Sequence, residues 1–295
     1  MEQFPLYTAM ITPMNADGSI DYNSFETILR KQESAKNGVL LLGSTGEGLN
    51  LNEEEKREVV EFTKELNLDV PMMVGIGGFN LSGQVDFIHY CDEIGVDIFL
   101  LVTPLYAKPG AEGQFEWFSE LLAETNTDCM LYNVPSRTGG KLDPSVPRRL
   151  SKEFENLIGV KEASGSVEEF KAFRKASPNL KFYSGDDGLT SAFADEGAVG
   201  LISVASNVWP DETHKYVELC VAGNTEGLFP LWKESADALF KAPNPVPVKV
   251  LLQQKGWVEN DTVRLPLSLG DISNETEKIL VDVDKNISKW YSETK

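Results

Sequence analysis

Eight short apolar segments recur along the chain, and this repeat is the feature that most constrains its fold. They are "LYTAMITP", "GVLLLGSTGE", "VPMMVGIGG", "VDIFLLVTP", "DCMLYNVPS", "LIGVKEASG", "LKFYSGDD" and "VGLISVASN". They follow one another at intervals of roughly 20 to 33 residues, enough for one strand, one helix and two loops. Strands that alternate with helices pair in parallel, and continuously apolar strands form a sheet covered on both faces. The repeat therefore predicts an α/β fold of the (β/α)8 TIM barrel type.

An open, doubly wound sheet is the alternative, but no dinucleotide-binding fingerprint opens the first helix. Helix-start signals stand between the apolar segments, with Asn52 and Ser166 in N-cap positions. After about residue 209 the strand repeat stops, and helical patterns continue to the end of the chain. We predict a barrel over residues 1–225 and a C-terminal helical appendage over residues 226–295.

Composition excludes several classes of function. A formal net charge of −19 argues against nucleic acid or an anionic membrane as a partner. No apolar segment approaches the ~18 residues of a membrane span, and the first residues lack the basic start of a signal peptide. Cys91, Cys129 and Cys220 are odd in number and far apart, which predicts free thiols in the cytoplasm. With only His89 and His214 present, we expect no metal site of the usual kind and no metal-dependent hydrolase.

Lys161 ends the sixth apolar segment, where a parallel barrel gathers its functional groups. Strand alternation predicts that Leu157, Gly159, Lys161 and Ala163 share one face, with Gly159 leaving room below the ammonium group. If that face is the barrel interior, burial should lower the lysine pKa from ~10.4. A neutral amine can then attack a carbonyl group and form an imine. A lysine that reaches to solvent from a strand end is the alternative.

Three other features stand at the same predicted edge of the sheet. Tyr132 ends the preceding segment, so its phenol should lie near Lys161 and could transfer protons, although it could also be a core tyrosine. The "GSTGE" loop offers hydroxyl and N–H groups that can bind a carboxylate, although an ordinary turn would look the same. Arg137 offers a bidentate fork for a second carboxylate, and a surface arginine is the alternative.

The strings "GSTGE", "YNVPSRTG", "GVKEASG" and "SGDD", in this order, resemble the dihydrodipicolinate synthase family of pyruvate-dependent class I aldolases. The likeness covers essentially the whole chain. It implies that Lys161 forms an imine with pyruvate, without a metal or organic cofactor. It further implies that Thr45, with main chain near Ile202, binds the pyruvate carboxylate. Tyr132 would be the proton donor and acceptor.

The resemblance also assigns a proton relay and a second substrate. Ser44 and Tyr106 would complete the relay, with Tyr106 reaching into a neighbouring subunit of a dimer or, as in the family, a tetramer. Arg137, Gly185 and Asp186 would face L-aspartate 4-semialdehyde, whose condensation with pyruvate begins the lysine and diaminopimelate branch. N-acetylneuraminate lyase and 2-keto-3-deoxy sugar acid aldolases are alternatives of the same family. A non-catalytic keto-acid sensor is an alternative of another class.

Two departures from the family pattern bear on specificity and regulation. Ser44 replaces the threonine of the usual "GTTGE", as in many lyases, whereas "KEASG", "SGDD" and Arg137 fit the synthases better. Family members inhibited by lysine share a small polar pocket at the dimer interface, often with histidine. The matching residues here are Gly48, Leu49, Glu53, Lys56, Gln84 and Leu105. Because the Lys56 cation would repel a bound lysine, we expect weak or absent feedback.

Overall fold

The computed structural model describes residues 4–294, and its eight strands form the closed parallel barrel that the sequence predicts. Each strand pairs with the next along the chain, and the last pairs with the first, with Tyr7 opposite Ile202. The strands are β1 (Leu6–Ala9), β2 (Gly38–Leu41), β3 (Met72–Ile76), β4 (Ile98–Val102), β5 (Asp128–Asn133), β6 (Leu157–Glu162), β7 (Lys181–Ser184) and β8 (Gly200–Ser203).

Helices alternate with these strands and then continue alone at the C-terminal end. They are α1 (Tyr22–Ser34), α2 (Glu53–Glu65), α3 (Leu81–Ile94), α4 (Ala111–Ala123), α5 (Pro135–Thr138), α6 (Ser145–Leu150), α7 (Val167–Ala176), α8 (Thr190–Asp195), α9 (Pro210–Val221), α10 (Leu228–Ala238), α11 (Val246–Gln254) and α12 (Asn274–Thr294). Both predicted N-caps are confirmed: the Asn52 side chain accepts from the Glu55 N–H, and Ser166 caps α7. Among residues 4–294 we find no helix whose length and apolar character would let it cross a bilayer.

The apolar residues separate into two layers, as expected for a barrel with helices around it. The outer layer, between strands and helices, includes Ile28, Phe99, Phe118, Leu131, Phe170 and Phe182. The inner layer fills the barrel and includes Tyr7, Leu40, Met73, Met130, Tyr132 and Ile202. Both layers are buried, which explains why the strands read as apolar on both faces.

Strand β6 departs from the simple alternation predicted for it. Cys129 of β5 lies opposite Leu157, but the next residue, Met130, lies opposite Gly159, so the register slips by one residue. The slip turns Leu157 into the outer layer, and the prediction that Leu157 shares a face with Lys161 is wrong.

The prediction that Gly159 leaves free space below the lysine is also wrong. A Cβ atom built there would lie 3.1 Å from Cε of Met130 and 2.5 Å from the carbonyl oxygen of Lys181. Met130 therefore already fills this part of the barrel interior, and the glycine is required because the β7 backbone approaches so closely.

The C-terminal helices pack on the last barrel helix through aromatic side chains. Trp232 of α10 stacks on Tyr216 of α9 with 4.1 Å between ring centroids. It also makes edge-to-face contacts with Trp209 and Trp290. The appendage is thus held against the barrel, and it brings residues of α11 close to the loop that follows β2.

Candidate active site

Lys161 lies at the C-terminal end of β6 with its amine inside the barrel mouth. The residue is 4% exposed, and Nζ lies 4.4 Å from the centre of the Tyr132 ring. Within residues 4–294, no carboxylate lies within ion-pairing distance of this amine. Burial lowers its pKa to about 7; the Asp187 carboxylate opposes this shift and the Arg137 guanidinium adds to it. The lysine is therefore buried and largely deprotonated above neutral pH, as the sequence predicts.

Tyr132 is the direct neighbour of Lys161 across the β5–β6 pair, as predicted. Burial raises its pKa to about 12, against the effects of Arg137 and of a hydrogen bond with the Ser44 side chain. The phenol consequently keeps its proton at neutral pH. A phenol that keeps its proton can act as a proton donor to a neighbouring group.

The "GSTGE" loop lies between β2 and α2 and is tightly fitted. Thr45 is 2% exposed and its Oγ1 accepts a hydrogen bond of 3.0 Å from Nδ2 of Asn244. A Cβ atom at Gly46 would lie 2.9 Å from the Met10 carbonyl oxygen, so only glycine fits there. Ser44 is exposed, although its side chain reaches Tyr132.

Two cavities adjoin Lys161. The larger, of about 900 Å³, is lined by Lys161, Tyr132, Ser44, Arg137 and Tyr106, among others. The smaller, of about 450 Å³, is lined by Lys161, Tyr132, Thr45, Gly185, Asp186 and Asn244, among others. Eight of the nine predicted site residues thus line these two cavities, and the ninth is Ile202. Asn244 also lines the smaller cavity, although the sequence prediction does not include it.

The family resemblance assigns Arg137, Gly185 and Asp186 to the second substrate. Arg137 lies on the short helix α5, exposed and facing the larger cavity. A Cβ atom at Gly185 would lie 3.0 Å from Cε of Lys161, so this glycine gives the lysine its space. The Asp186 carboxylate accepts from the N–H groups of Gly188 and Leu189, and burial raises its pKa. Its contacts are thus those of a turn.

Ile202 and Tyr106 lie at opposite extremes of burial. Ile202 on β8 is completely buried in the inner layer, together with Tyr132. Tyr106 is 86% exposed, has a left-handed backbone with φ of 64°, and stacks on Phe79 at 6.5 Å. An aromatic residue this exposed is available to contact another molecule.

Sequence reasoning missed Asp187, the second acid of "SGDD". This carboxylate is buried and accepts hydrogen bonds from the Ser203 hydroxyl and from the N–H groups of Val204 and Ala205. It is also the charged group that most strongly favours the protonated form of Lys161. An acidic residue directly after a predicted strand end was the available signal, because a parallel barrel gathers its functional groups there.

Asn244 and Lys249 were missed as well. Both belong to "APNPVPVK", whose prolines indicated only a connection between helices. Lys249 is fully buried, and its Nζ lies 2.6 Å from Oε1 of Glu47, the last residue of "GSTGE". A lysine placed among apolar residues of a helix was the only signal in the sequence.

A third cavity, of about 570 Å³, lies outside the barrel mouth. The six residues predicted for a regulatory pocket all line it: Gly48, Leu49, Glu53, Lys56, Gln84 and Leu105. Lys56 forms an ion pair of 2.6 Å with Glu53. Both side-chain amide atoms of Gln84 are buried and have no hydrogen-bond partner in the described part of the chain. In the same range, no three His, Cys, Asp or Glu side chains are grouped to hold a metal ion.

Known proteins resemble this chain over nearly its whole length. The 4-hydroxy-tetrahydrodipicolinate synthase of Francisella philomiragia is 46% identical, with 97% of each chain covered. That of Wolbachia pipientis is 43% identical, with 97% of this chain and 96% of the relative covered.

Solved structures agree with these relatives. The 4-hydroxy-tetrahydrodipicolinate synthase of Methylacidiphilum fumariolicum SolV superposes with a TM-score of 0.93 at 32% identity, covering 99% of this chain and 98% of the other. A monomeric dihydrodipicolinate synthase variant gives 0.90 at 29% identity, with 97% of each chain covered. The sequence model of the dihydrodipicolinate synthetase family matches residues 4–285. The arrangement of residues around Lys161 is consistent with this match. The chain therefore belongs to the dihydrodipicolinate synthetase family.

Proposed function

We propose that this protein is a 4-hydroxy-tetrahydrodipicolinate synthase, which condenses pyruvate with L-aspartate 4-semialdehyde for lysine and diaminopimelate biosynthesis. The observation that carries the proposal is the buried Lys161 amine, with a pKa of about 7, beside the Tyr132 phenol. The relatives with this name and the family membership support the same reaction.

The first steps build a carbon nucleophile on Lys161. The neutral amine adds to C2 of pyruvate to give a carbinolamine, and loss of water gives the protonated imine. Tyr132 supplies the proton that leaves with the hydroxyl group, and the Ser44 and Tyr106 hydroxyls relay it. Thr45, with main chain near Ile202, binds the pyruvate carboxylate. The protonated imine accepts electrons as the methyl carbon loses a proton, which yields an enamine.

The later steps use the second substrate. The enamine carbon attacks the aldehyde carbon, and the aldehyde oxygen takes up a proton. The amino group of the new chain then attacks the imine carbon, which closes the ring and releases Lys161 as a free amine. Arg137 binds the carboxylate of the aldehyde substrate, with Gly185 and Asp186 at the same cavity.

The proposed enzyme is a homo-oligomer, at least a dimer and by family likeness a tetramer. Leu49, Phe79 and Tyr106 are large apolar residues that are 60% or more exposed, and they lie close together beside the barrel mouth. A second copy of the chain that covers them would bring its own Tyr106 to the neighbouring site. Sedimentation equilibrium tests this assembly. The three buried free cysteines fit a cytoplasmic protein.

Borohydride reduction in the presence of pyruvate tests the covalent step. We expect a mass increase on the peptide that contains Lys161, because hydride fixes the imine as a stable amine. Lys249 is the matched control, since it is equally buried but lies in an ion pair and should stay unmodified. The Lys161→Ala variant should show no adduct and no turnover; an unmodified wild-type Lys161 would refute the imine.

An acceptor comparison separates the synthase from the sugar-acid aldolases of the family. Arg137→Gln should reduce turnover of L-aspartate 4-semialdehyde by about 100-fold or more, because the carboxylate of this substrate loses its guanidinium partner. Trapping of pyruvate alone should persist in this variant. Faster turnover of N-acetylneuraminate or of a 2-keto-3-deoxy sugar acid by the wild type would favour the alternatives.

A further inference from the structure

The hydrogen bond between Asn244 and Thr45 joins the C-terminal region to the active-site loop. Nδ2 of Asn244 donates to Oγ1 of Thr45 at 3.0 Å, and both residues are buried. A hydroxyl group has one proton to donate and two lone pairs to accept with. The amide fills one lone pair and leaves the Thr45 proton available to a carboxylate in the cavity.

A second contact fixes the same loop two residues further on. Oε1 of Glu47 lies 2.6 Å from Nζ of Lys249, which also donates to the Thr262 carbonyl oxygen at 2.8 Å. Oε2 of Glu47 accepts from the Arg264 N–H at 3.1 Å. Each side chain of the ion pair is 1% exposed, so water does not weaken it.

The backbone of the loop needs such anchoring. Glu47 has a left-handed conformation with φ of 53°, which a residue other than glycine adopts only when its surroundings fix it. The Gly46 carbonyl oxygen accepts from the Thr12 hydroxyl at 2.7 Å, which holds the loop from the barrel side. The C-terminal region holds the opposite side, through Asn244 just before α11 and Lys249 within it.

We propose that the C-terminal region acts in substrate binding, with Asn244 as a positioning residue that orients the Thr45 hydroxyl toward the pyruvate carboxylate. The Glu47–Lys249 ion pair keeps the loop at the distance that this hydrogen bond requires. Asn244 acts through Thr45 and not on the reacting atoms. The inference rests on the proposed function, because it takes pyruvate as the ligand of Thr45.

A double-mutant cycle on pyruvate trapping tests this role. The measured quantity is the pyruvate concentration that half-saturates borohydride trapping on Lys161, so no aldehyde is needed. Asn244→Leu should raise this concentration about 10-fold, and Thr45→Val about 10-fold to 100-fold, as for loss of a hydrogen bond to a charged group. In the Thr45→Val background, Asn244→Leu should add less than about 2-fold, because its effect passes through the missing hydroxyl.

A purely structural role predicts a different pattern. Asn244→Leu would then lower the trapped amount through the fraction of folded protein and leave the half-saturating concentration unchanged. That result, or full additivity of the two substitutions, would overturn the inference. Asn244→Ala removes the amide without added bulk and carries the same prediction if the leucine variant does not fold.

The wild-type protein distinguishes this inference from the function on which it rests. If wild-type Lys161 is trapped and the cycle shows no coupling, only the role of Asn244 is wrong. If wild-type Lys161 is not trapped at any pyruvate concentration, the proposed function is wrong and the inference falls with it.

Discussion

Two lysines are buried among residues 4–294, and their surroundings differ in one decisive respect. Lys161 in the barrel mouth is 4% exposed and faces the Tyr132 ring, with no carboxylate of residues 4–294 in ion-pairing distance. Lys249 at the junction with the C-terminal region is fully buried but contacts the Glu47 carboxylate at 2.6 Å. Burial lowers the pKa of both amines, and Glu47 opposes that effect at Lys249.

The difference shows how one residue type serves chemistry in one place and architecture in another. A buried amine without a close carboxylate loses its proton near neutral pH and becomes a nucleophile. A buried amine that is hydrogen-bonded to a carboxylate is engaged in an ion pair and joins two segments of chain. The first arrangement lowers the stability of the folded protein. In the second, removal of either partner would leave the other buried without a counter-charge.

The largest expected effect is the loss of stability when the paired lysine is removed. Lys249→Met leaves Glu47 buried without its cation, and the free energy of unfolding should fall by about 3 to 5 kcal/mol. Urea unfolding at pH 7 measures it. The matched control is the double variant Glu47→Leu with Lys249→Met, in which no charge remains and most of the stability should return. A single variant as stable as the wild type would contradict the account of this pair.

Removal of the unpaired lysine should have the opposite sign. The unfolded chain protonates Lys161 below pH ~10.4, whereas the folded protein protonates it only below about 7. Protonation therefore favours unfolding, and its cost grows as the pH falls from ~10.4 to 7. Lys161→Met should raise the free energy of unfolding by about 4 kcal/mol at pH 7 and much less at pH 10.5, by urea unfolding without pyruvate. A gain that is equal at both pH values would refute the lowered pKa.

Sequence patterns predicted those parts of the molecule that follow from local chemistry. The closed barrel follows from the repeated apolar segments, and the start of α2 follows from the capping preference of Asn52. The proximity of Lys161 and Tyr132 follows from their positions at the ends of consecutive parallel strands. Each of these predictions needs only periodicity, capping preference and the rule that parallel strands end at the same edge.

The features that were not predicted depend on contacts that sequence patterns do not encode. The register slip at Met130 arises from one extra residue in a continuous apolar strand, where either face can be buried. Asn244 meets Thr45 across 199 residues, and Lys249 meets Glu47 across 202. Such partners become visible only once the C-terminal helices are placed on the barrel.

The charges around Lys161 allow its pKa to be moved in both directions. Asp187 raises the lysine pKa and Arg137 lowers it, while burial sets the main shift. Asp187→Asn should therefore move the pH dependence of pyruvate trapping to lower pH, and Arg137→Gln should move it to higher pH. Each shift should be roughly 0.5 to 1 pH unit. Initial trapping rates from pH 5 to 9 measure both, without the aldehyde; shifts in the same direction would contradict the electrostatic account.

The smallest expected effect concerns a third lysine, which has a carboxylate partner but is only partly buried. Lys56 lies beside Glu53 in the cavity outside the barrel mouth, and its side chain is 18% exposed. A lysine molecule that entered this cavity would meet the Lys56 cation and a carboxylate that is already engaged. We expect no inhibition by sub-millimolar lysine in a coupled assay, and half-maximal inhibition in that range would refute the expectation.

Lys56→Gln tests whether the cation is the cause of this insensitivity. Because Glu53 would then be free to bind an ammonium group, the variant should become more sensitive to lysine than the wild type. The change should be small, since solvent weakens a partly exposed ion pair to about 1 kcal/mol or less. Glu53→Gln is the matched control, because it leaves the Lys56 cation unpaired and should not increase sensitivity. Equal sensitivity in both variants would show that the charge at this position does not control lysine binding. A carboxylate partner would then determine what a lysine does only where water is excluded, as at Lys161 and Lys249.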